Sequence, residues 1–283
     1  MERLGRYQIR EIIGEGAMAR VYKGYDPEID REIAIKLLKS QLADDDQYRL
    51  RFLREAKGAG TLSHPNIVTI FDVGVDGKHP YIAMELVDGM TLTDLIRSEQ
   101  RLSTRDVVEI GIQLTRALDY AHKKGIIHRD IKPGNIFIVR KNDGSSQAKL
   151  LDFGIAHVAQ AKNKLTAQGM ILGTPEYMSP EQGRTANVGP ESDLWSVGIV
   201  MWECLTGHTP FVAETATEIL LKIATSDAPP ILDEVPELPP PIAAVIDRSL
   251  VRDTAQRYRT ADEMREAMQR AMRKTDEAAA AAV

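Results

Sequence analysis

A single cysteine stands among 283 residues, so no disulfide can close within the chain and a reducing compartment is expected. That residue, Cys204, lies in the apolar run 197–205, where a small buried hydrophobe is expected rather than a nucleophile. No stretch approaches the ~18 uncharged apolar residues of a membrane-spanning helix, and the opening MERLGRYQ lacks the apolar centre of a secretory leader. A soluble chain is therefore expected. Basic excess is missing too: 36 Lys and Arg face 41 Asp and Glu, a net charge of −5 that gives no reason to expect a nucleic-acid partner. There is no internal repeat. What is present, 43% hydrophobic and 27% charged, is ordinary for a globular protein with room for one large domain or two lobes.

The chain changes character along its length. Short β-branched or aromatic runs at 7–14, 19–26 and 31–38 are separated by Gly, Pro and Asp, and two more follow at 68–75 and 81–86 around Asp76-Gly77. One helix, from about 46 to 62, interrupts them and ends at Ser63-His64-Pro65. From Thr91 the period becomes helical. Ser103-Thr104-Arg105-Asp106 has the form of a capping box, apolar residues recur at Val107, Ile110, Leu114, Leu118 and Ala121, and Gly125 is placed to end that helix. Further helices are expected around 191–206, 214–223, 241–250 and 261–272, with prolines at 229–230, 236 and 239–241 marking loops. The alanines of 278–282 favour helix but have no partner face, so a frayed end or the start of a linker is expected there. The expected organisation is a strand-rich lobe over about 1–86, a connection at about 85–89, a helical lobe over about 90–272 and a tail over 273–283. Ligands favour the seam between two such lobes.

Polar residues in apolar settings mark the chemistry. The stretch IIHRDIKPGNIFI, 126–138, sets His128, Arg129, Asp130, Lys132 and Asn135 between apolar flanks that read as short buried strands. Alone it fits a polar turn with internal ion pairs as well as a reactive loop. The stretch IIGEGAMARVYKG, 12–24, puts Gly14 and Gly16 at a strand–turn–strand. Glycine there lets backbone N–H groups approach a polyphosphate, and a tight hairpin in any β domain has the same appearance. A dinucleotide fingerprint is disfavoured, because the turn leads into a strand rather than a helix. Lys36 is embedded in the apolar strand EIAIKLL. An isolated buried ammonium is costly, so it needs an acid, and Glu55 on the following helix is the candidate.

In order along the chain, Gly14 and Gly16 with Val21, Ala34-Ile35-Lys36, Glu55, His128-Arg129-Asp130, Asn135 and Asp152-Phe153-Gly154 resemble the protein-kinase signature set. Gly173-Thr174-Pro175-Glu176-Tyr177-Met178-Ser179-Pro180-Glu181 and Asp193-Leu194-Trp195-Ser196-Val197-Gly198 continue it. From about residue 7 to 272 the chain resembles the eukaryotic-like serine/threonine protein kinases of bacteria. The resemblance implies an α+β bilobal fold, with a small antiparallel-sheet N-lobe carrying one main helix and a larger, mostly helical C-lobe. It implies transfer of the ATP γ-phosphoryl group, with Mg2+, to protein Ser and Thr hydroxyls.

The same resemblance assigns roles. Asp130 would orient the substrate hydroxyl and accept its proton, and Lys132 would neutralise charge on the moving phosphoryl group. Asn135 and Asp152 would supply hard oxygen ligands to magnesium. Lys36, held by Glu55, would meet the α- and β-phosphates beneath a loop of Ile13, Gly14, Glu15, Gly16, Ala17, Met18, Ala19, Arg20 and Val21. Adenine would lie under Ile13, Val21 and Ala34 and over Phe137, with hydrogen bonds to the backbone at Glu85 and Val87 and with Met84 as gatekeeper. Lys132 two places after Asp130, together with Thr174, resembles the serine/threonine class; tyrosine kinases place Arg two residues later in that loop.

Arg129 before Asp130 goes, in this family, with control by phosphorylation of the activation segment. Thr166 is the candidate phosphosite, Arg129 and His157 its pocket, and Thr174 a contact to the catalytic loop. Autophosphorylation between self-associating copies is implied. Three residues depart from the pattern: Ala19 replaces the third loop glycine, Ser179 replaces the Ala of Ala-Pro-Glu, and His157 stands where relatives often have Arg or Lys. His157 reads either as a surface histidine or as a group that makes the pocket respond to pH near neutrality. Gln168 occupies the place of a second threonine, and Glu181 is expected to pair with Arg257. A pseudokinase scaffold is the main rival reading, opposed by the retention of Lys36, Asp130 and Asp152. A small-molecule kinase is opposed by 173–181 and 193–198, which resemble a protein-substrate platform. A cytoplasmic location is expected, either free or as one part of a longer membrane-anchored protein.

Overall fold

Alternation along the strand β4 (Arg31–Leu38) sends Ile33, Ile35 and Leu37 to one face and Ala34, Lys36 and Leu38 to the other, and both faces are covered. The computed structural model describes residues 2–153, 174–184 and 188–281, with only the backbone of Glu55 and Arg184. The expectations placed on Gly154, His157, Thr166, Gln168, Gly173 and the Glu55 side chain lie outside what is described.

β4 sits inside a six-stranded antiparallel sheet of order β1-β2-β3-β4-β6-β5, with β1 at Arg3–Leu4, β2 at Tyr7–Glu15, β3 at Ala19–Asp26, β5 at Ile70–Asp76 and β6 at His79–Glu85. Ile33, Ile35 and Leu37 pack with Leu4, Tyr7, Tyr81 and Ala83. On the opposite face Leu38 and Ile82 meet Phe52 and Ala56 of α2 (Asp46–Ala59), while Ala34 meets Val68 and Met84. Parity therefore puts Lys36 on the face that holds both α2 and the seam between the lobes. A four-residue helix, α1 (Ser40–Ala43), links β4 to α2.

Two boundaries differ from expectation for definite reasons. The helix α2 stops at Ala59, not 62, because Thr61 and Leu62 turn back onto the carbonyls of Gly58 and Ala59. β5 starts at Ile70, not 68, because Val68 donates to Leu150 O of the other lobe and Thr69 O accepts from Glu85.

The second lobe is helical: α3 (Leu92–Glu99), α4 (Thr104–Lys123), α5 (Pro180–Arg184), α6 (Pro190–Thr206), α7 (Ala216–Thr225), α8 (Pro240–Ser249) and α9 (Ala261–Ala281). A small sheet of order β7-β8-β9, from Met90–Thr91, Ile136–Arg140 and Ser146–Leu150, lines its upper edge. Ser103 caps α4 as expected, accepting from Asp106 N at 3.1 Å and donating to its carboxylate at 2.7 Å, and Gly125 ends it at φ 75°. The flank Ile126-Ile127, expected as a strand, forms none; only the downstream flank does, as β8. The stretch 273–281 is helical, as the helix-end alternative expects. It continues α9, with Asp276 held by Arg105 at 2.8 Å.

α6 is apolar nearly all round and lies at the centre of the lobe, with Trp195, Ile199, Trp202 and Cys204 buried. Burial pushes the Cys204 thiol far above its ordinary pKa, as expected of a core residue. No helix of the described residues is long and apolar enough to cross a membrane.

Close packing of α6 on α8 yields a test. A Cβ at Gly198 would stand 2.0 Å from Ser249 Oγ and 3.0 Å from Leu250 Cδ2. Gly198→Ala should therefore destabilise the protein by about 1–3 kcal/mol, the usual cost of overpacking. An unchanged urea midpoint would mean that the two helices are not in such close contact.

Candidate active site

A carboxylate removed from water must be satisfied by donors, and Asp193 is 1% exposed in the first turn of α6. Its Oδ2 accepts from His122 Nε2 at 2.8 Å and from the His128 N–H at 2.9 Å; its Oδ1 accepts from the Arg129 N–H at 2.7 Å. Burial pushes its pKa up, but the bond and charge of His122 and the Arg129 N–H together hold it below the ordinary carboxylate range. The consequence is local and specific. Arg129 is pinned in the left-handed region at φ 65°, a conformation that a long side chain seldom adopts.

His128 continues the anchorage. It is fully buried, its Nε2 donates to Leu151 O at 2.6 Å, and its Nδ1 accepts from the Asp130 N–H at 3.2 Å, which together assign the tautomer. The ring lies 4.6 Å, centroid to centroid, from buried Phe153. The loop that carries Asp130 is thus tied below to α6 and beside it to 151–153.

Pro133 opens a single 3-10 turn, Pro133–Asn135, that presents Asn135 back toward Asp130. The Asn135 Nδ2 donates to Asp130 O at 2.8 Å and to Asp130 Oδ2 at 2.9 Å, and Lys132 Nζ lies 3.0 Å from the same carboxylate. With its amide nitrogen engaged twice, Asn135 turns its Oδ1 the other way. Leu151 N donates to Asn135 O at 2.9 Å, setting Asp152 alongside, again in a left-handed conformation at φ 58°. Lys36 reaches across from the first lobe to within 2.6 Å of Asp152 Oδ2. Among the described side chains, then, the anion at Lys36 is Asp152.

The seam has an apolar half. Ala34, Val68 and Met84 are buried together, with half-buried Val21, Ile70, Leu86, Val87 and Leu151 packed against them. This brings Val21, Ala34, Met84 and Val87 into one cluster and adds Val68, Leu86 and Leu151, which sequence reasoning missed. Leu151 was findable as the apolar residue directly before Asp152. Ile13, at 47% exposure, and Phe137, half-buried on β8, stand outside the cluster.

Above it the β2–β3 hairpin closes with Gly16 N donating to Ala19 O at 2.9 Å, past the pairs Gly14–Val21 and Glu15–Arg20. A Cβ at Gly14 or Gly16 would meet nothing nearer than 3.7 Å, and neither glycine has a positive φ. Packing does not demand glycine here; its effect is to leave the backbone bare toward the seam. Glu15, hydrogen-bonded by Lys39 and Arg20, has its pKa held below the usual range and ties this hairpin to the end of β4.

The donor set suits a hard cation. Asn135 Oδ1 and the Asp152 carboxylate offer two protein oxygens on adjacent backbone, and no group of three or more His, Cys, Asp or Glu is gathered among the described residues. Two protein ligands suit magnesium, which takes its other ligands from phosphate and water. Arg129 contributes a different feature: its Nε is buried, and among the described residues it has no hydrogen-bond partner. Thr174 stands just before the 3-10 turn Pro175–Tyr177, whose Tyr177 O accepts from Ser196 of α6 at 2.8 Å. Below, Arg257 forks onto Glu181 at 2.8 and 2.9 Å.

Comparison with known proteins agrees with this geometry. The sequence profile of the protein kinase domain matches residues 7–270. Serine/threonine-protein kinase PrkC of Bacillus subtilis is 41% identical over 260 residues, which is 92% of this chain and 39% of that protein. Serine/threonine-protein kinase PknB of Mycolicibacterium smegmatis is 38% identical over 265 residues, 92% of this chain and 42% of that one. The chain thus spans about two fifths of the length of these curated relatives. In three dimensions it is similar to the PknI kinase domain of Mycobacterium tuberculosis, with a TM-score of 0.75 at 27% identity, covering 95% of this chain and 97% of that one. Rad53 1–466 in complex with AMP-PNP has the same TM-score, 0.75, at 27% identity, covering 92% of this chain and 64% of that one.

The anchorage on Asp193 has a pH signature. Its folded-state pKa is depressed, so its stabilisation is complete above the unfolded value of about 4 and is lost as pH falls through the folded one. Asp193→Asn should cost about 2–3 kcal/mol near neutrality, as expected for hydrogen bonds to a charged group, with the deficit shrinking on acidification below pH ~4. Denaturation at neutral and acid pH measures this; a deficit that does not change with pH would mean that the charge is not what matters.

Proposed function

The chain belongs to the protein kinase family, and on that premise we propose that it transfers the γ-phosphoryl group of ATP to serine and threonine hydroxyls of proteins. One observation carries the reading. Lys132 and Asn135 each come within hydrogen-bonding distance of Asp130, and Lys36 and Asp152 meet beside them at the seam. Phosphoryl transfer asks chiefly for such positioning and charge stabilisation.

In this scheme Asp130 accepts the proton of the incoming hydroxyl while Asn135 and Lys132 fix its carboxylate. Lys132 faces the charge that develops on the moving phosphoryl group. Lys36 clamps the phosphates, with Glu55 as its further anchor. Asn135 and Asp152 hold magnesium, which supplies neutralisation of phosphate charge when bound. The bare hairpin from Ile13 to Val21, including Glu15, Ala17, Met18, Ala19 and Arg20, covers the nucleotide. Ala34, Met84 and the backbone of Glu85 and Val87 take the adenine, with Phe137 beneath. The kinase domain runs over about 1–272, with lobes meeting at about 85–89.

The Nε of Arg129, buried without a partner among the described residues, supports an anion arriving at that place; phosphothreonine 166 is our candidate, with His157 as the second member of its pocket and Thr174 as an activation-segment contact to the catalytic loop. Self-association would deliver one copy's Thr166 to another's Asp130. A single buried cysteine agrees with a cytoplasmic setting.

The purified chain, incubated with ATP and magnesium and a generic basic protein, should gain mass in steps of one phosphate, with Thr166 among the mapped sites. Asp130→Ala should lower the rate by ~10²-fold or more, the scale of a positioned general base. Lys36→Met should abolish transfer. Near-normal turnover in either variant would remove that residue from its role; no phosphate on any protein would leave a nucleotide-binding scaffold as the better reading.

A further inference from the structure

Glu85 ends β6, and its backbone N–H donates to Thr69 O at 2.9 Å. The side chain is held as firmly as the backbone. Its Oε2 accepts from Thr69 N at 3.2 Å, and its Oε1 lies 2.6 Å from Lys149 Nζ. Lys149 belongs to the other lobe. On β9 its neighbours Ala148 and Leu150 point into the helical core, so Lys149 leaves the sheet on the opposite face, where its partner across the ladder is Phe137. Both charged groups are largely withdrawn from water, Lys149 at 14% and Glu85 at 26% exposure.

The connection that begins at Glu85 is also fixed at its far end. A Cβ at Gly89 would stand 2.5 Å from the Ile138 carbonyl oxygen, so the backbone there lies directly on β8. Residues 85–89 are thus clamped at both ends to one small sheet, by a charge pair at the start and by bare backbone contact at the finish.

We propose that Lys149, acting through Glu85, is a positioning residue for the nucleotide. The pair sets where the connecting backbone stands above β8 and β9, and so sets the affinity for adenine nucleotide without touching the reacting phosphates. This rests on the kinase reading and adds to it a residue to which the catalytic motifs assign no role. Half of the clamp is an ion pair between lobes, and an ion pair broken on one side leaves the other charge stranded. The connecting backbone then loses its register over the floor of the seam, and binding weakens before chemistry does.

The test uses the whole chain, with ADP and ATP as probes. Lys149→Met should raise the calorimetric Kd for ADP and the KM for ATP by ~tenfold, the scale of losing one charge-assisted bond. The effect should fall on KM rather than on kcat at saturating ATP. Lys149→Arg should recover most of the affinity, and Glu85→Gln combined with Lys149→Met should bind ADP no worse than the weaker single variant, as expected of coupled partners. If Lys149→Met matches the unaltered chain in Kd and KM within about twofold, whatever its melting temperature, the pair is only structural and the proposal falls. If the unaltered chain itself binds no ADP, the kinase reading fails first and the proposal with it.

Discussion

One buried carboxylate organises this molecule. Asp193 sits where the central helix of the large lobe begins, and its oxygens hold the backbone of His128 and Arg129 and the ring of His122. That anchor, with Gln182 Nε2 donating to Arg129 O at 3.0 Å, offsets the left-handed backbone of Arg129 and leaves Asp130 where Asn135 and Lys132 can reach it. The rest follows outward: His128 carries the constraint to Leu151 and Phe153, and Leu151 with Asn135 carries it to Asp152. A charge desolvated at the core of one lobe is thereby converted into fixed geometry at the seam.

Much of the fold was legible because it is local. Short β-branched or aromatic runs bounded by Gly, Pro and Asp mark β4 and β6, Ser103 and Gly125 mark the ends of α4, and Asp76-Gly77 marks a hairpin, since each is decided within a few residues. What escaped was decided at a distance. The residues Val68 and Thr69 have the composition of strand, yet their backbone groups serve Leu150 and Glu85, 82 and 16 positions away along the chain. Ile126-Ile127 is apolar enough for a strand, but Asp193 claims the N–H of His128 directly after it.

The site divides in the same way. Its chemical groups were readable as a set because the order of motifs is shared with a family, whereas their mutual geometry was not. Lys36 meets Asp152 of the other lobe, a contact that no spacing announced, while the Glu55 side chain expected beside it lies outside what is described. That contact unites the two lobes through the same carboxylate that we propose as a magnesium ligand. Asp193 was legible as the first residue of a motif but not as the anchor of the loop, and Lys149 carries no distinctive spacing; each meets a partner more than sixty residues distant in the chain.

The depth of Cys204 has a practical consequence. At 1% exposure, inside α6 and with its thiol held protonated, it is closed to alkylating reagents in the folded state. No other thiol exists in the chain. Cysteines introduced on the exposed faces of the two lobes would therefore be the sole sites of attachment, and a pair of probes placed on them could report the distance across the seam, in solution and in real time, on an otherwise unaltered protein.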